Sequence, residues 1–138
     1  MLEGEVVAYG DENKPLPFQD VMRRFKRVHG VGRMVQLIPL KLHLFDMLHL
    51  NGETLVDQSY EELWKTLMRI SSNDLLTERI ITDNISEAET FLTVAMRAGH
   101  EGLMIKSLTS KYITGVRCKK WFKIKPFESL DLVIIAAD

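Results

Sequence analysis

A chain of 138 residues with 46% hydrophobic, 27% charged and 8% aromatic residues has the make-up of one folded domain, which excludes global disorder, collagen and coiled coil. The formal charge is -1, yet Glu101–Glu128 carries seven Lys/Arg against two Glu (+5) and the remainder eleven against seventeen (-6). That segregation points to a local polyanion site, or to solvated faces alone. The longest apolar run, Leu132–Ala137, is far too short to cross a bilayer, residues 1–5 lack a secretion-signal pattern, and the single Cys118 suits a reducing compartment.

Glu5–Tyr9 reads as a strand and Gly10–Pro17 as a polar turn. Phe18, Val21, Met22, Phe25 and Val28 recur at helical spacing, which predicts an amphipathic helix ending near Gly30. Its stretch Arg23-Arg24-Phe25-Lys26-Arg27 is a second basic cluster. Val35–Phe45 is strand-like, with Pro39 marking an edge or a bulge. Strict alternation puts Lys41, His43 and Phe45 on one face and Leu42, Leu44 and Asp46 on the other, where Asp46 needs a partner. Asn51-Gly52 is a turn signal. Ser59 and Glu62 fit a capping box before Leu63, Trp64, Leu67 and Ile70; Ser86 and Glu89 fit another before Phe91, Leu92, Ala95 and Met96, with Gly99 as the stop. Leu75–Thr82 reads as a short strand, followed later by Gly102–Lys106, Lys120–Lys125 and Leu130–Ala136. Without a regular βαβ rhythm, this mixture predicts an α+β fold of mainly antiparallel sheets flanked by helices. The chain starts inside one predicted strand and stops inside another. That predicts a piece of a larger protein with open sheet edges, through which two copies could pair as a dimer.

Four groups could carry chemistry. Lys123 and Lys125 share a strand face, with their ammonium groups about 7 Å apart, and could bracket a phosphate; an edge strand carrying lysines against aggregation reads the same way. Arg117, Lys119 and Lys120 add charge just upstream. Glu101 and Lys106 bracket an apolar strand. Glu101 could supply one of the few carboxylates that Mg²⁺ requires, or be a surface residue at a strand entry. The two serve one pocket only if the strand starts after Glu101. Phe45 on a polar face could be a stacking platform for a base or an ordinary half-buried ring. Glu5 shares a face with Glu3 and Val7, and Gly4 beside it permits a close approach. No phosphate-binding P-loop, GxGxxG, GxSxG or CxxC occurs, His43 and His49 lack zinc-ligand spacing, and Cys118 has no evident catalytic partner.

Five stretches occur in order: Glu-Gly-Glu-Val-Val-Ala at 3–8, Pro17-Phe18-Gln19 with Arg23-Arg24, Leu44-Phe45-Asp46-Met47-Leu48 with Asn51-Gly52, Gly99-His100-Glu101-Gly102-Leu103-Met104-Ile105-Lys106, and Trp121-Phe122-Lys123-Ile124-Lys125-Pro126. Together they resemble the ATP-grasp-like adenylation (nucleotidyltransferase) domain of ATP-dependent DNA ligases, most closely the archaeal and eukaryotic replicative type. The resemblance spans nearly the whole of residues 1–138, as the C-terminal part of that domain. It implies that Phe45 stacks on adenine, Glu5 lies near ribose and metal, and Glu101 helps hold Mg²⁺. It further implies that Lys106 stands near the phosphates and that Lys123 and Lys125 contact the α-phosphate. Arg117 matches a basic nucleotide-site position, and Arg23, Arg24, Lys26 and Arg27 lie where family members approach DNA. Implied partners are ATP (AMP) and nicked double-stranded DNA, with no membrane. The implied location is intracellular, cytoplasmic and nucleoid-associated for an archaeal source.

In this family AMP passes from ATP to a lysine in Lys-x-Asp-Gly, then to a DNA 5′-phosphate, before the 3′-hydroxyl seals the nick. None of the ten lysines here precedes x-Asp-Gly, so the nucleophile is expected upstream of Met1, and Glu3 stands where Asp is commoner. The oligonucleotide-binding barrel is likewise expected outside the chain, which should not adenylate itself. An RNA ligase or capping-type enzyme fits the Leu44–Gly52 and Gly99–Lys106 stretches less well. The reading from another class is a non-catalytic nucleic-acid-binding or interaction module.

Overall fold

The computed structural model describes residues 1–10, 13–26, 29–113 and 120–126. Among them the order is β1 (Leu2–Ala8), α1 (Phe18–Phe25), α2 (Val31–Leu37), β2 (Leu40–Met47), β3 (His49–Leu50), β4 (Glu53–Thr54), α3 (Tyr60–Ile70), a 3₁₀ turn (Asn73–Leu75), α4 (Ile85–Arg97), β5 (Leu103–Lys106) and β6 (Trp121–Ile124). The strands form three antiparallel pairs, β1–β2, β3–β4 and β5–β6, so the α+β expectation holds. Asn51 and Gly52, both at positive φ, form the tight turn between β3 and β4, as a two-residue hairpin requires.

The main core lies between β2 and α3. Leu44 and Met47 from the strand meet Leu63, Trp64 and Leu67 from the helix, closed by Leu55 and Tyr60. Helix α3 starts as its sequence announces: the Ser59 side chain accepts from the Glu62 amide, and the Glu62 carboxylate accepts from the Ser59 amide at 2.9 Å. A smaller cluster of Ala8, Val21 and Ile38 seats α1 on β1.

Several elements depart from the pattern read in the sequence. Residues 31–37 are helical, whereas the apolar run suggested a strand from Val35. Gly30, at φ +71, starts the helix, and the Arg24 guanidinium donates to the Ile38 carbonyl at 2.7 Å at its end. Helix α1 ends at Phe25 rather than near Gly30, and of its apolar face only Val21 is buried; Phe18 and Phe25 are exposed. Residues 75–82 are not a strand. Leu76 makes one parallel bridge to Leu44, and the Thr77 amide donates to the Leu44 carbonyl at 2.9 Å, after which pairing stops. The cap of α4 is Asn84, not Ser86: the Asn84 side chain accepts from the Ser86 and Glu87 amides. Asn at the cap takes the position two residues earlier than the Ser-x-x-Glu pattern marks. Gly99 does end α4. At φ +95 it lets its own amide reach the Met96 carbonyl and the His100 amide the Ala95 carbonyl. Strand β5 starts at Leu103 and β6 spans Trp121–Ile124. The expected strand Leu130–Ala136, Cys118 and Lys119 lie outside the described residues.

Long-range ties fasten the β5–β6 ribbon to the rest. The Tyr112 hydroxyl donates to the Glu3 carboxylate at 2.5 Å, the Trp121 indole donates to the Ser110 hydroxyl at 3.3 Å, and the Ser110 carbonyl accepts from the Tyr60 amide at 2.8 Å. No helix of the described residues is long and apolar enough to cross a membrane.

Two outcomes follow from this packing. Leu67 is fully buried at the centre of the β2–α3 core. Leu67→Ala should cost about 2–5 kcal/mol in denaturant unfolding; a loss below about 1 kcal/mol would contradict the packing described. The bond to Glu3 holds the Tyr112 phenol up to about 12, from an ordinary 10.0. The stabilisation linked to that shift is complete below pH 10 and is lost as pH rises towards 12. Tyrosine-labelled NMR should show the Tyr112 titration moving down towards 10 in Glu3→Gln, and an unmoved midpoint would exclude the bond.

Candidate functional site

The site begins with an irregularity. Glu5 pairs with His43 and Gly4 with Leu44, so regular pairing would set Glu3 against Phe45; instead Glu3 faces Asp46. Phe45 is the extra residue of a β-bulge, and bulges re-aim side chains. Asp46 therefore crosses to the face of Glu3, Glu5 and His43, correcting the expectation that it shares the Leu42 and Leu44 face. Gly4 opposite the bulge has no room for a side chain, because a Cβ there would lie 2.7 Å from the His43 carbonyl oxygen. The close approach that Gly4 permits is thus that of backbone.

Asp46 finds its partner in Lys106. The ammonium lies 3.3 Å from Asp46 Oδ2, with the side chains 8% and 1% exposed, while Asp46 Oδ1 accepts from the Met47 amide at 2.9 Å. Three rings surround the same ammonium, with centroids 3.8 Å away for Trp121 and 4.6 Å for both Phe45 and Tyr60. Burial pushes the Asp46 carboxyl up and the Lys106 ammonium down, and their mutual attraction opposes both shifts. Removing one partner of such a buried pair costs about 3–5 kcal/mol. Phe45 itself is half-buried against the β2–α3 core.

The second half of the site is exposed. Glu101 Oε2 accepts from Lys125 Nζ at 2.5 Å and lies 3.8 Å from Lys123 Nζ, with the Glu101 side chain 62% exposed. These bonds hold the Glu101 carboxyl below its usual range and raise the Lys125 ammonium. Gly102 makes the arrangement possible. It sits at φ +147, where an added Cβ would be 2.0 Å from the Ile124 carbonyl oxygen. The chain therefore passes flush against β6 and delivers Glu101 beside Lys125. Glu101 does stand before the strand, the condition under which it and Lys106 can serve one region.

Glu5 is exposed on β1 opposite His43. His43 bonds the Tyr9 hydroxyl at 2.9 Å, and its pKa is lowered first by burial and then by the charges of His100 and Lys41. His100, which contributes to lowering the His43 pKa, directly precedes Glu101 in the chain. On α1, Arg23 is paired with Asp20 at 2.9 Å, Arg24 is engaged with the Ile38 carbonyl, and Lys26 is exposed. Arg27 and Arg117 lie outside the described residues. Two concavities, one beside Leu50 and Arg69 and one beside Ile81 and Phe91, contain none of these residues. The exposed candidates Glu5, Glu101, Lys123 and Lys125 lie on or beside two separate sheets.

Sequence reasoning missed the aromatic cage. No sequence pattern assigns Tyr60 or Trp121 to a cation cage, although Trp121 stands directly opposite Lys106 in the register and Tyr60 opens α3. Tyr112, the partner of Glu3, was also missed, and nothing local in the sequence marks it.

Comparison with known proteins supplies the family. The model of the ATP dependent DNA ligase domain matches residues 1–125. A DNA ligase of Methanothrix thermoacetophila is 45% identical over 99% of the chain, and one of Thermococcus fumicolans is 49% identical over all of it. The chain spans about a quarter of the length of each. A mycobacterial DNA ligase D complexed with ATP and MES shares the fold at TM-score 0.68 and 23% identity, over 92% of this chain and 38% of that one. The ligase domain of M. tuberculosis LigD aligns at TM-score 0.66 and 25% identity, over 90% and 37% of the two chains. With bulge, cage and exposed Glu101–lysine cluster in place on this fold, the chain belongs to the ATP dependent DNA ligase domain family.

Proposed function

We propose that this chain is the C-terminal part of the adenylation domain of an ATP-dependent DNA ligase, and that it binds ATP or AMP and contacts nicked DNA during sealing. The observation that carries this reading is Glu101 held between Lys123 and Lys125 on an exposed ribbon. Two cations and a carboxylate that bind one another in water can exchange those contacts for phosphate oxygens and a cation. Nucleotidyl transfer places negative charge on the phosphoryl oxygens, and fixed ammonium groups stabilise it. Lys123 and Lys125 would take the α-phosphate, and Phe45 would stack on adenine.

Mg²⁺ fits the donors available. It takes one or two carboxylates and completes its shell with phosphate oxygens and water. Glu101 and Glu5 are exposed carboxylates that could supply one or two such ligands, while no cluster of three His, Cys, Asp or Glu converges among the described residues. Held there, the ion would neutralise phosphate charge alongside the lysines. Arg117 would add to the nucleotide pocket. The basic stretch Arg23, Arg24, Lys26 and Arg27, of which Arg23 and Arg24 lie on α1, would face the DNA backbone, and Arg24 also holds the Ile38 carbonyl at the end of α2. The nucleophilic lysine and the oligonucleotide-binding barrel belong to other parts of the protein, which works intracellularly.

Incubation of the chain with labelled ATP and Mg²⁺ should leave no acid-stable, lysine-linked AMP, since no Lys-x-Asp-Gly occurs in it; an adduct would overturn that assignment. In equilibrium titrations Phe45→Ala and Lys123→Ala should each weaken AMP binding by about tenfold, the loss of one stacked base or one charged hydrogen bond. DNA binding that is indifferent to Phe45, with no nucleotide binding, would instead favour a non-catalytic interaction module.

A further inference from the structure

We propose that Lys106 and Asp46 are positioning residues for the Phe45 ring rather than ligands of phosphate, so that this pair governs how firmly the site holds a purine base. The inference rests on the nucleotide-site reading above. The lysines of the chain's basic segment are placed very differently. Lys123 and Lys125 are 54% and 47% exposed and need only release an exposed carboxylate to meet a phosphate. Lys106 is 8% exposed, and its departure would strand a carboxylate that is 1% exposed.

What the Lys106 ammonium does touch is aromatic. It lies over Phe45 at 4.6 Å, with Tyr60 and Trp121 closing the other sides. A desolvated cation over a ring face is held there electrostatically. Phe45 needs such a hold because it is the extra residue of the bulge, where the ladder does not fix side-chain direction. Asp46 completes the device. One oxygen accepts from the Met47 amide on β2 and the other takes the ammonium from β5, so one carboxylate anchors the cation to the strand that carries Phe45. With one face of Phe45 covered, a base stacks on the opposite face.

The test uses the chain Met1–Asp138 with labelled lysine side chains, adenosine and inorganic pyrophosphate serving as separate probes. In the unsubstituted protein, adenosine should shift the Lys106 signal and leave those of Lys123 and Lys125, and pyrophosphate should do the reverse. Lys106→Met, and the neutral pair Asp46→Asn with Lys106→Met, should weaken adenosine binding by about tenfold while pyrophosphate binding stays within about twofold. A Lys106 signal that follows pyrophosphate overturns the proposal. So does a substitution that spares adenosine. If the substituted chains do not fold, the shifts in the unsubstituted protein decide alone. Failure to bind adenosine or AMP at all would remove the nucleotide-site reading together with this one. Nucleotide binding with the opposite lysine pattern would remove only this one.

Discussion

A single buried ammonium organises this structure. Lys106 from β5 meets Asp46 and Phe45 from β2, Tyr60 from α3 and Trp121 from β6, so four elements share one charge. An ammonium group in an apolar interior is tolerated only with an opposite charge and polarisable surfaces around it. β5 supplies the charge, and β2, α3 and β6 supply the carboxylate and the rings that cover it. The bulge at Phe45 belongs to the same constraint. Without the extra residue, Asp46 would face the Leu42 and Leu44 side of the sheet, and Lys106 would have no counter-ion.

Around that fixed centre two surfaces differ in kind. The side that carries Phe45 is half-buried and built on core packing, so its geometry is set by the fold. The other side is an exposed cluster of Glu101, Lys123 and Lys125, whose ion pairs are worth little in water and are easily exchanged. On the reading proposed above, the first would serve as a platform for a base and the second would surrender its contacts to a polyanion.

Much of this was legible in residue patterns because it depends on near neighbours. The capping box at Ser59 and Glu62, the Asn51-Gly52 turn and the Gly99 stop all formed, since each satisfies backbone groups within a few residues. The need of Asp46 for a partner was also readable, and so were both residues of the eventual pair. Their union across 60 positions was not, because strict alternation sends Asp46 to the wrong face unless the bulge is known. The strand expected from Val35 failed for a related reason: a glycine at positive φ and an arginine reaching back from α1 favour a short helix over the β preference of the apolar run. Tyr112 and Glu3 stand 109 positions apart, beyond any local signal.

That separation has a consequence for how the molecule is made. The strand bearing Asp46 is synthesised well before Lys106 and Trp121, and Glu3 long before Tyr112. Until the later residues emerge, Asp46 has no cation and its carboxylate remains in water, so the nascent β1–β2 pair and α3 can collapse around leucines but cannot close over that position. Distant contacts of this sort slow folding. The order of synthesis therefore leaves the surroundings of Asp46 to close only after β5 and β6 have emerged.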